Sequence, residues 1–572
     1  MSRPAAPPED PTDPAEHQES RILAHSAVMA AGTVVSRISG LLRATLLVAA
    51  LGSSLHADVF NVANTIPTML YILLAGGVFN AVLVPQLVRA LKNDADGGEA
   101  YTNRIITAFG LFLGGVTMAL MLAAPYVVQL YSSSAWPPEA RESLVDFTRY
   151  CLPQVFFYGI FVLVGQVLNA RGRFGPMMWA PIANNVISVL VLVGYLVAFG
   201  APDLAERCLG FSTSQELVLG IGSTIGIVAQ CAILVPFLRA AGYTYRPRFD
   251  LRGTGLGHTL RLGVWTLLFV LVNQLAYVVV VKLATTGTAT GCGAGGPSAG
   301  DVTGYTVYAN SFLLVMVPHS VITVSLATAL LPLLSSRAAG GDLAGLAGSL
   351  ARTLRTALAV VVPVAALLPV VAADVAPLIF GWGAGAETAA NYAPTLSVFG
   401  VSIVAFTVHY LVLRGFYALE RNRTVFLIQC VVAAVNVAMA LLLVGRTSAE
   451  NTAPALAAAY GSAYAVGALA SYTVLRRALG GLDTTALLGF VARLLVAVGA
   501  ALLVALVLRG VLPDAEGSKP VAVLRLGVVG LADVLVLVLV ARLVKLGEVT
   551  SVLGVVSRRV IPRPGRDRTS SM

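Results

Sequence analysis

Long apolar segments alternate with short polar connections along almost the whole chain. Fourteen of these segments contain about 20 or more mostly apolar residues, the length that an α-helix needs to cross a bilayer. No segment shows the two-residue alternation of a membrane β-barrel strand. The pattern predicts an all-α polytopic membrane protein with about 14 transmembrane helices, which we number spans 1–14. They lie at residues 26–52, 58–88, 105–131, 143–170, 175–200, 215–238, 256–284, 303–335, 350–380, 388–414, 423–445, 452–475, 486–509 and 521–546.

Only the two ends of the chain have the composition of soluble segments. Residues 1–24 are rich in proline and acidic residues and lack the pattern of a signal peptide, which predicts a disordered cytoplasmic tail. Residues 548–572 form a basic tail. Over the 572 residues, hydrophobic types make up 57% and charged types only 12%. This composition excludes an ordinary soluble domain.

Arginine and lysine are concentrated in alternate connections. The even-numbered connections between spans carry most of the basic loop residues, and the odd-numbered ones carry only Arg141, Arg207, Arg446, Arg509 and Lys519. Because cytoplasmic loops hold the basic excess, both termini are predicted to be cytoplasmic. The net charge of +10 therefore reflects topology, and no nucleic-acid partner is expected.

The five cysteines are widely scattered and form no CxxC motif, so no metal site and no cofactor are expected. In the predicted topology, Cys208 and Cys292 both lie in outer loops. Two unpaired thiols are the favoured interpretation, and a disulfide between them is the alternative.

The chain contains an internal repeat with an offset of about 246–251 residues. Residues 62–66 correspond to residues 308–312, so that Asn64 aligns with Asn310. Six spans, an even number, separate the two copies, which predicts parallel repeats with the substrate path between them. Spans 1–6 and 7–12 form the predicted lobes, and spans 13 and 14 stand outside the repeat. The predicted divisions are residues 1–24, 25–240, 253–478, 485–547 and 548–572.

Two arginines lie deep inside span 1. A cation near the bilayer midplane costs about 2.5–3.5 kcal/mol on insertion scales. Arg37 lies about 16 Å from the start of the span, too far to snorkel to the interface. We therefore expect Arg37 and Arg43 to face a water-filled cavity that binds an anion, and guanidinium groups match the oxygens of pyrophosphate. Since the two residues lie about 240° apart around an ideal helix, either Gly40 breaks the helix or the cavity surrounds span 1.

Several other polar residues inside the spans have a structural and a functional interpretation. Asp58 begins span 2 and is either a carboxylate favoured by the helix dipole or an outer-gate partner of Arg43. Asn64, Asn310 and Ser311 occupy equivalent repeat positions, and we expect them to line the cavity.

Short cytoplasmic loops at repeat-related positions carry two pairs of arginines. Positive-inside topology explains them without a ligand, and attraction of an anionic headgroup is the alternative. These residues are Arg171, Arg173, Arg421 and Arg423.

Three stretches of the chain resemble the MurJ/MviN-type lipid II flippases of the multidrug/oligosaccharidyl-lipid/polysaccharide exporter superfamily. They are Ser36 to Arg43 continuing through Asp58 to Pro85, residues 168–185, and residues 414–424. The resemblance covers about residues 26–546. It implies a flippase that moves lipid II, an undecaprenyl-pyrophosphate-linked glycopeptide, from the inner to the outer leaflet of the cytoplasmic membrane of a bacterium. It further implies alternating access, a lipid-tail groove at spans 13 and 14, and cell-wall synthesis proteins as candidate partners besides membrane lipid.

The resemblance also implies which residues form the site, and the chain departs from it in several places. Arg37 and Arg43 match the two first-helix arginines of the family, and Ser36 and Tyr71 join the candidate gate or cavity residues. Tyr71-Ile72 stands where many members have two arginines, and Asn310-Ser311 stands where they have Asp-Arg. The site is therefore expected to hold fewer charges than usual for the family.

Three alternatives remain open at this point. The chain could transport another undecaprenyl-linked glycan, export drugs like other members of the superfamily, or act as a non-transporting cell-wall scaffold. A drug exporter would favour acidic residues in its cavity, and this chain has arginines there. An enzyme is not expected, because the sequence has no HExxH, GxSxG or P-loop motif.

Overall fold

In a computed structural model of the protein, the described residues are 14–73, 90, 96, 98–250, 256–292, 300–515 and 517–549. All regular secondary structure within these ranges is helical. The first half of the chain forms α1 Pro14–Leu51, α2 Leu55–Ile72, α3 Glu99–Leu122, α4 Ala124–Tyr131, α5 Pro138–Cys151, α6 Gln154–Ala170, α7 Gly175–Phe199, α8 Thr213–Ala232 and α9 Leu234–Ala240. The second half forms α10 Leu256–Gly291, α11 Tyr305–His319, α12 Ser325–Ala339, α13 Leu343–Phe380, α14 Tyr392–Ala418, α15 Asn422–Val444, α16 Thr452–Ala478, α17 Thr484–Val511 and α18 Lys519–Leu543.

Thirteen segments in the described part of the chain are long and apolar enough to cross a membrane. They correspond to all predicted spans except span 2, of which α2 covers the first part and residues 74–88 lie outside the described residues. The prediction of an all-α polytopic membrane protein is confirmed. Several spans are built from two helices, since Pro153 separates α5 from α6 and a π-helical turn at Ser320–Val324 separates α11 from α12.

Helix α1 differs from the sequence-based expectation in two ways. It begins at Pro14, so residues 14–24 are helical although a disordered tail was expected to reach residue 24. It also runs without interruption through Gly40 to Leu51, so Gly40 does not break the helix. Continuous i to i−4 hydrogen bonding keeps Arg37 and Arg43 on different sides of one straight element.

Helix packing divides into two sets. Among α1–α9, the main contacts join α1 to α7, α7 to α8, α2 to α5, α5 to α8 and α3 to α6. Among α10–α16, they join α14 to α13 and α16, and α15 to α10 and α16. Small residues allow close approach, as where Gly461 of α16 faces Ser402 of α14. The central cavity described below lies between the two sets.

Helices α17 and α18 pack against each other and against α13. A buried ion pair holds them there: Arg525 of α18 contacts Asp374 of α13 at 2.7 Å, and its Nε also donates to both oxygens of that carboxylate. The Arg509 guanidinium donates to the carbonyl of Val370, also on α13. Charges inside a membrane segment are tolerated when they are paired in this way.

A disulfide joins Cys208, in the α7–α8 connection, to Cys292, just after α10. Their Cα atoms are 5.4 Å apart. The favoured prediction of two unpaired thiols is therefore wrong. The two residues lie 84 positions apart in the sequence, and only the folding of the α7–α8 connection over the end of α10 brings them together. We call this end of the bundle the disulfide end, and the opposite end, which holds Arg171 and Arg421, the basic end.

Candidate functional site

A cavity of about 470 Å³ lies between α1 and α2 on one side and α10, α11, α15 and α16 on the other. Among the described residues that line it, Arg43 is the one charged side chain. Most of the other polar lining groups are carboxamides, phenols and hydroxyls. They include Asn61, Asn64, Thr65, Thr68, Asn273, Gln274, Tyr277, Tyr305, Tyr308, Asn310, Gln429, Asn436, Tyr460 and Tyr464.

The half-buried side chain of Arg43 also borders a smaller pocket beside the central cavity, together with Asn61, Asn64, Ser188 and Ser223. Polar surroundings on both sides explain why a cation is tolerated at this depth in a membrane helix. The guanidinium therefore lies where an anion entering the cavity would meet it.

The polar lining is organised by hydrogen bonds from neighbouring helices. Gln154 of α6 donates to Asn64 Oδ1 at 3.2 Å and to Ser223 Oγ at 3.1 Å, which orients the carboxamide of Asn64. On the opposite side of the cavity, Gln429 donates to Asn273 at 2.6 Å. These carboxamides are held in place before any ligand arrives.

Two hydrogen bonds between α2 and the second half of the chain close one end of the cavity, and a third within the second half supports them. Asn61 donates to Thr306 Oγ1 at 3.0 Å, and the hydroxyls of Thr65 and Tyr305 are 2.7 Å apart. Tyr305 also contacts the hydroxyl of Tyr277 at 3.0 Å. These bonds lie between the cavity and the disulfide end.

Asp58 is fully buried and forms the next layer of the closure. Its carboxylate accepts hydrogen bonds from the backbone N–H of Tyr305 at 2.9 Å, the backbone N–H of Thr306 at 2.6 Å and the hydroxyl of Thr288 at 2.9 Å. The first N–H groups of a helix have no intrahelical partner, so Asp58 of α2 caps the start of α11. Gly304 makes this approach possible, because a Cβ there would overlap the carboxylate.

The contacts of Asp58 agree with one part of the gate interpretation and not with the other. It lies at a contact between the two halves of the chain, as a gate residue would. Arg43 is not among its hydrogen-bond or ion-pair partners in the described part of the chain, so the expected pairing with Arg43 is not present.

Further contacts between the two halves cover the disulfide end. The side chain of Arg207 is only 2% exposed, and its guanidinium lies 3.0 Å from Glu387. Trp136 donates to the carbonyl of Thr285 at 2.9 Å, and Lys282 donates to the carbonyl of Gln129 at 3.1 Å. Together with the disulfide, these contacts close the cavity at this end.

Sequence reasoning missed most of this closure. Arg207 had been considered only as a loop arginine, and its partner Glu387 lies 180 residues away. Thr288 and Trp136 carry no pattern that marks them. The repeat offered one indirect signal of this contact, because it aligns the start of span 8 with the start of span 2.

The structure separates the two arginines of span 1. Arg37 is exposed and does not line the described cavity, and it lies about 9 Å along the helix from Arg43. Ser36 belongs to the contact between α1 and α7, where its carbonyl accepts a hydrogen bond from Asn185 at 3.2 Å. Of this motif, only Arg43 faces the cavity.

The remaining candidates are distributed between cavity and core. Asn64 and Asn310 line the cavity as expected, and Asn310 also donates to the hydroxyl of Tyr392 at 3.4 Å. Ser311 is fully buried outside the lining. Tyr71 packs against Tyr158 with ring centroids 4.7 Å apart and does not reach the cavity.

At the basic end, two of the four loop arginines are held by protein contacts. Arg171 donates to the carbonyl of Ala241 at 3.0 Å and lies over the ring of Tyr243, whose burial raises the pKa of its phenol. Arg423 lies over the ring of Trp265. Arg173 and Arg421 are exposed.

The fold matches solved transporters along most of its length. A structure titled "Lipid II flippase MurJ, inward closed conformation" superposes with a TM-score of 0.69 at 15% identity, covering 90% of this chain and 98% of that one. An inward-facing multidrug resistance MATE family transporter of the MOP superfamily gives a TM-score of 0.56 at 15% identity, covering 80% and 94%. At these identities the likeness shows a shared fold.

Comparisons of sequence point to the same group. A protein of Rhizobium meliloti named "Probable lipid II flippase MurJ" is 27% identical over 436 residues, covering 75% of this chain and 76% of the relative. "Lipid II flippase MurJ" of Burkholderia cenocepacia is also 27% identical and covers 73% and 75%. The family model described as "Lipid II flippase MurJ" matches residues 47–517. That match spans most of the chain and confirms the resemblance seen in the motifs, so this chain belongs to the MurJ family of lipid II flippases.

Proposed function

We propose that this chain moves lipid II across the membrane by receiving its diphosphate at Arg43 in the central cavity. The observation that carries the proposal is the position of Arg43 in a cavity between the two halves of the chain, where no other described lining residue is charged. A guanidinium donates two parallel hydrogen bonds to phosphate oxygens, and the pairing is stronger away from bulk water. A cationic cavity also argues against the export of cationic drugs.

The rest of the lining suits the uncharged part of such a headgroup. Carboxamides and phenols both donate and accept hydrogen bonds, which matches sugar hydroxyls and peptide amides. Gln154 and Gln429 hold two of the lining carboxamides in fixed positions. A prearranged set of weak donors and acceptors accommodates a large polar group without holding it too tightly to release.

Transport then requires the cavity to open alternately at its two ends. We assign the moving bodies to the predicted lobes, residues 25–240 and 253–478. Opening the disulfide end means separating Asp58 from Tyr305 and Thr306, together with the contacts beyond them. In the opposite state, Arg37 lies nearer the N-terminus of the same helix and would meet the diphosphate before Arg43.

The proposed orientation places the basic end in the cytoplasm of a bacterium and the disulfide end outside. The arginine distribution supports it, and so does the disulfide, because disulfides persist on the oxidising side of the membrane. The exposed Arg173 and Arg421 would then attract the anionic headgroup at the cytoplasmic surface. The polyprenyl tail would remain in lipid along α17 and α18, within residues 485–547.

The test is complementation of a flippase-depleted strain, combined with measurement of lipid II in the two leaflets. We expect Arg43→Ala to abolish rescue at normal membrane expression, and Arg43→Lys to restore little, because an ammonium cannot make the paired contact. Arg477→Ala is the matched control, since Arg477 is exposed at the basic end in the last turn of α16. Normal transport by Arg43→Ala would contradict the proposal.

A further inference from the structure

A second, larger cavity lies on the flank of the first half of the chain. It is a groove of about 780 Å³ whose floor is α6 and whose walls are α3 on one side and α8 and α9 on the other. Phe157 and Ile160 form its floor, and Ile106 and Val235 lie on its walls. Of the described residues that line this groove, none lines the central cavity.

The connection after α9 closes the groove at the basic end. We call residues 243–250 the strap. Its backbone runs along α3, where the N–H of Arg246 donates to Asn103 Oδ1 and the N–H of Arg248 donates to Thr107 Oγ1, both at 3.0 Å. The hydroxyl of Tyr243 donates to the same oxygen of Asn103 at 2.6 Å. The strap therefore has a defined position across the mouth of the groove.

The rim of the groove is cationic. Arg239, at the end of α9, lines the groove, and Arg246 and Arg248 lie on the strap between residues that line it. All three are exposed, and none has an ion-pair partner in the described part of the chain. The nearest strap carboxylate, Asp250, is already paired with Arg104 at 2.5 Å, and this contact lowers the pKa of Asp250. One unpaired guanidinium, that of Arg239, thus lies in the lining of an apolar groove, and two more lie on the strap that borders it.

Aromatic side chains mark the same rim as a membrane interface. Phe249 of the strap is 72% exposed, and Tyr245 and Phe237 are also exposed. Aromatic residues next to arginines are typical of the depth at which lipid headgroups lie. The features therefore follow the order of the parts of a lipid: the apolar groove suits an acyl chain, the cations suit a phosphate, and the aromatic rim suits the membrane interface.

We propose that this groove binds an anionic glycerophospholipid, with one acyl chain against Phe157 and Ile160 and the phosphate at Arg239 and Arg246. Apolar grooves between membrane helices take acyl chains, and basic pockets at the cytoplasmic side take phosphate headgroups. The transported polyprenyl diphosphate shares this chemistry. The observations favour the glycerophospholipid, because no described residue that lines this groove also lines the central cavity.

The test is lipid retention by the full-length protein. Protein reconstituted with equal amounts of phosphatidylglycerol and phosphatidylcholine is released from the bilayer, and the lipids still bound are counted by native mass spectrometry. We expect the wild-type protein to retain at least about five-fold more phosphatidylglycerol than phosphatidylcholine. The double variant Arg239→Ala/Arg246→Ala should reduce that preference to less than about two-fold, because both phosphate contacts are removed.

A second variant tests the apolar part. Ile160→Trp fills the floor of the groove and should remove the bound lipid of either headgroup. The control Arg476→Ala/Arg477→Ala removes two exposed arginines at the end of α16, away from the groove, and should leave retention unchanged. If Ile160→Trp fails to fold, the surface double variant decides the question by itself.

Three results would overturn the proposal. They are unchanged phosphatidylglycerol retention by Arg239→Ala/Arg246→Ala, equal retention of the two phospholipids by the wild-type protein, and displacement of the phospholipid from the groove by added undecaprenyl diphosphate. Lipid II transport is measured in parallel, and both groove variants should retain it. Failure here would leave the role of Arg43 untouched, so the two proposals are separable.

Discussion

Two charged residues inside the membrane region are accommodated in opposite ways. Arg43 keeps its guanidinium at the wall of a polar cavity, where an incoming anion can pair with it. Asp58 is fully buried, and the protein itself supplies three donors from the other half of the chain. Removing the charge of Arg43 should therefore affect ligand binding, whereas removing that of Asp58 should affect the contact between the two halves.

Removing the charge of Asp58 is expected to weaken the closed gate. In Asp58→Asn, the amide NH2 faces a backbone N–H that needs an acceptor, and leaving such a group unsatisfied costs about 1–3 kcal/mol. A cysteine replacing Thr68, which lines the cavity and takes no part in its closure, reports the result through labelling by a membrane-impermeant maleimide added from the disulfide end. We expect Asp58→Asn to increase labelling, and Thr288→Val, which removes one of three donors, to increase it less.

Gly304 offers an independent test of the same contact. Its backbone is extended at φ −134°, a conformation open to any residue, so only the space beside Asp58 requires a glycine. We expect Gly304→Ala to lower the thermal unfolding midpoint and to raise labelling of the cavity. Gly527→Ala is the control, because nothing lies within 4 Å of the added Cβ and alanine favours the helix. If Gly304→Ala and Gly527→Ala had the same unfolding midpoint and the same labelling, the close approach of Gly304 to Asp58 would contribute nothing to stability.

At the scale of elements, α17 and α18 depend on a few polar contacts for their docking. Their outward faces are apolar and sit as well in lipid as against protein, so hydrophobicity alone does not hold them to α13. The buried pair of Arg525 with Asp374 supplies a specific attachment. These helices, which the sequence placed outside the repeat, thus have a defined position beside one lobe.

Breaking that pair from one side is expected to be costly. Asp374→Ala leaves the buried guanidinium of Arg525 without its main partner, and such a loss typically costs 3–5 kcal/mol. The loss should appear as a lower unfolding midpoint and as faster proteolysis of the α16–α17 connection. Arg525 also contacts Asp514, but that side chain is 83% exposed, so Asp514→Ala should cost about 1 kcal/mol or less. Similar losses in both variants would assign the docking to other contacts.

At the scale of the whole molecule, the disulfide is a covalent link between the two halves at the end that opens in the proposed transport cycle. A disulfide keeps its Cα atoms within about 4.4–6.8 Å of each other, so the connections that carry Cys208 and Cys292 cannot separate while it is intact. Outward opening in the oxidised protein is therefore limited at this edge of the gate.

Reduction is accordingly expected to widen access to the cavity from the disulfide end. Treatment with a dithiol, followed by its removal, should increase maleimide labelling of the cysteine placed at Thr68, counted at that residue alone because the freed thiols of Cys208 and Cys292 also react. The double variant Cys208→Ser/Cys292→Ser should show the higher labelling without reductant, and reductant should add nothing further. If oxidised and reduced proteins label equally, the gate opens along a different edge.

Much of the architecture follows from the sequence alone, for a local reason. A lipid environment requires every backbone hydrogen bond to be made within the segment, so the length and hydropathy of each apolar run already specify a membrane helix. The motifs around Arg43 and the repeat between Asn64 and Asn310 likewise lie within short stretches of sequence. The family, the helical class and the position of Asn64 and Asn310 at the cavity were therefore predictable before any contact was known.

Only the tertiary structure determines which neighbours each side of a helix contacts. Arg37 and Arg43 lie on one helix, in similarly apolar stretches of sequence. Only the packing of α1 against α2 and α7 places Arg43 at the cavity and leaves Arg37 exposed. The partner of Asp58 and the pairing of Cys208 with Cys292 also depend on residues at least 84 positions away. Contacts between distant segments leave no local pattern, because they depend on how the helices are rotated and where their ends meet.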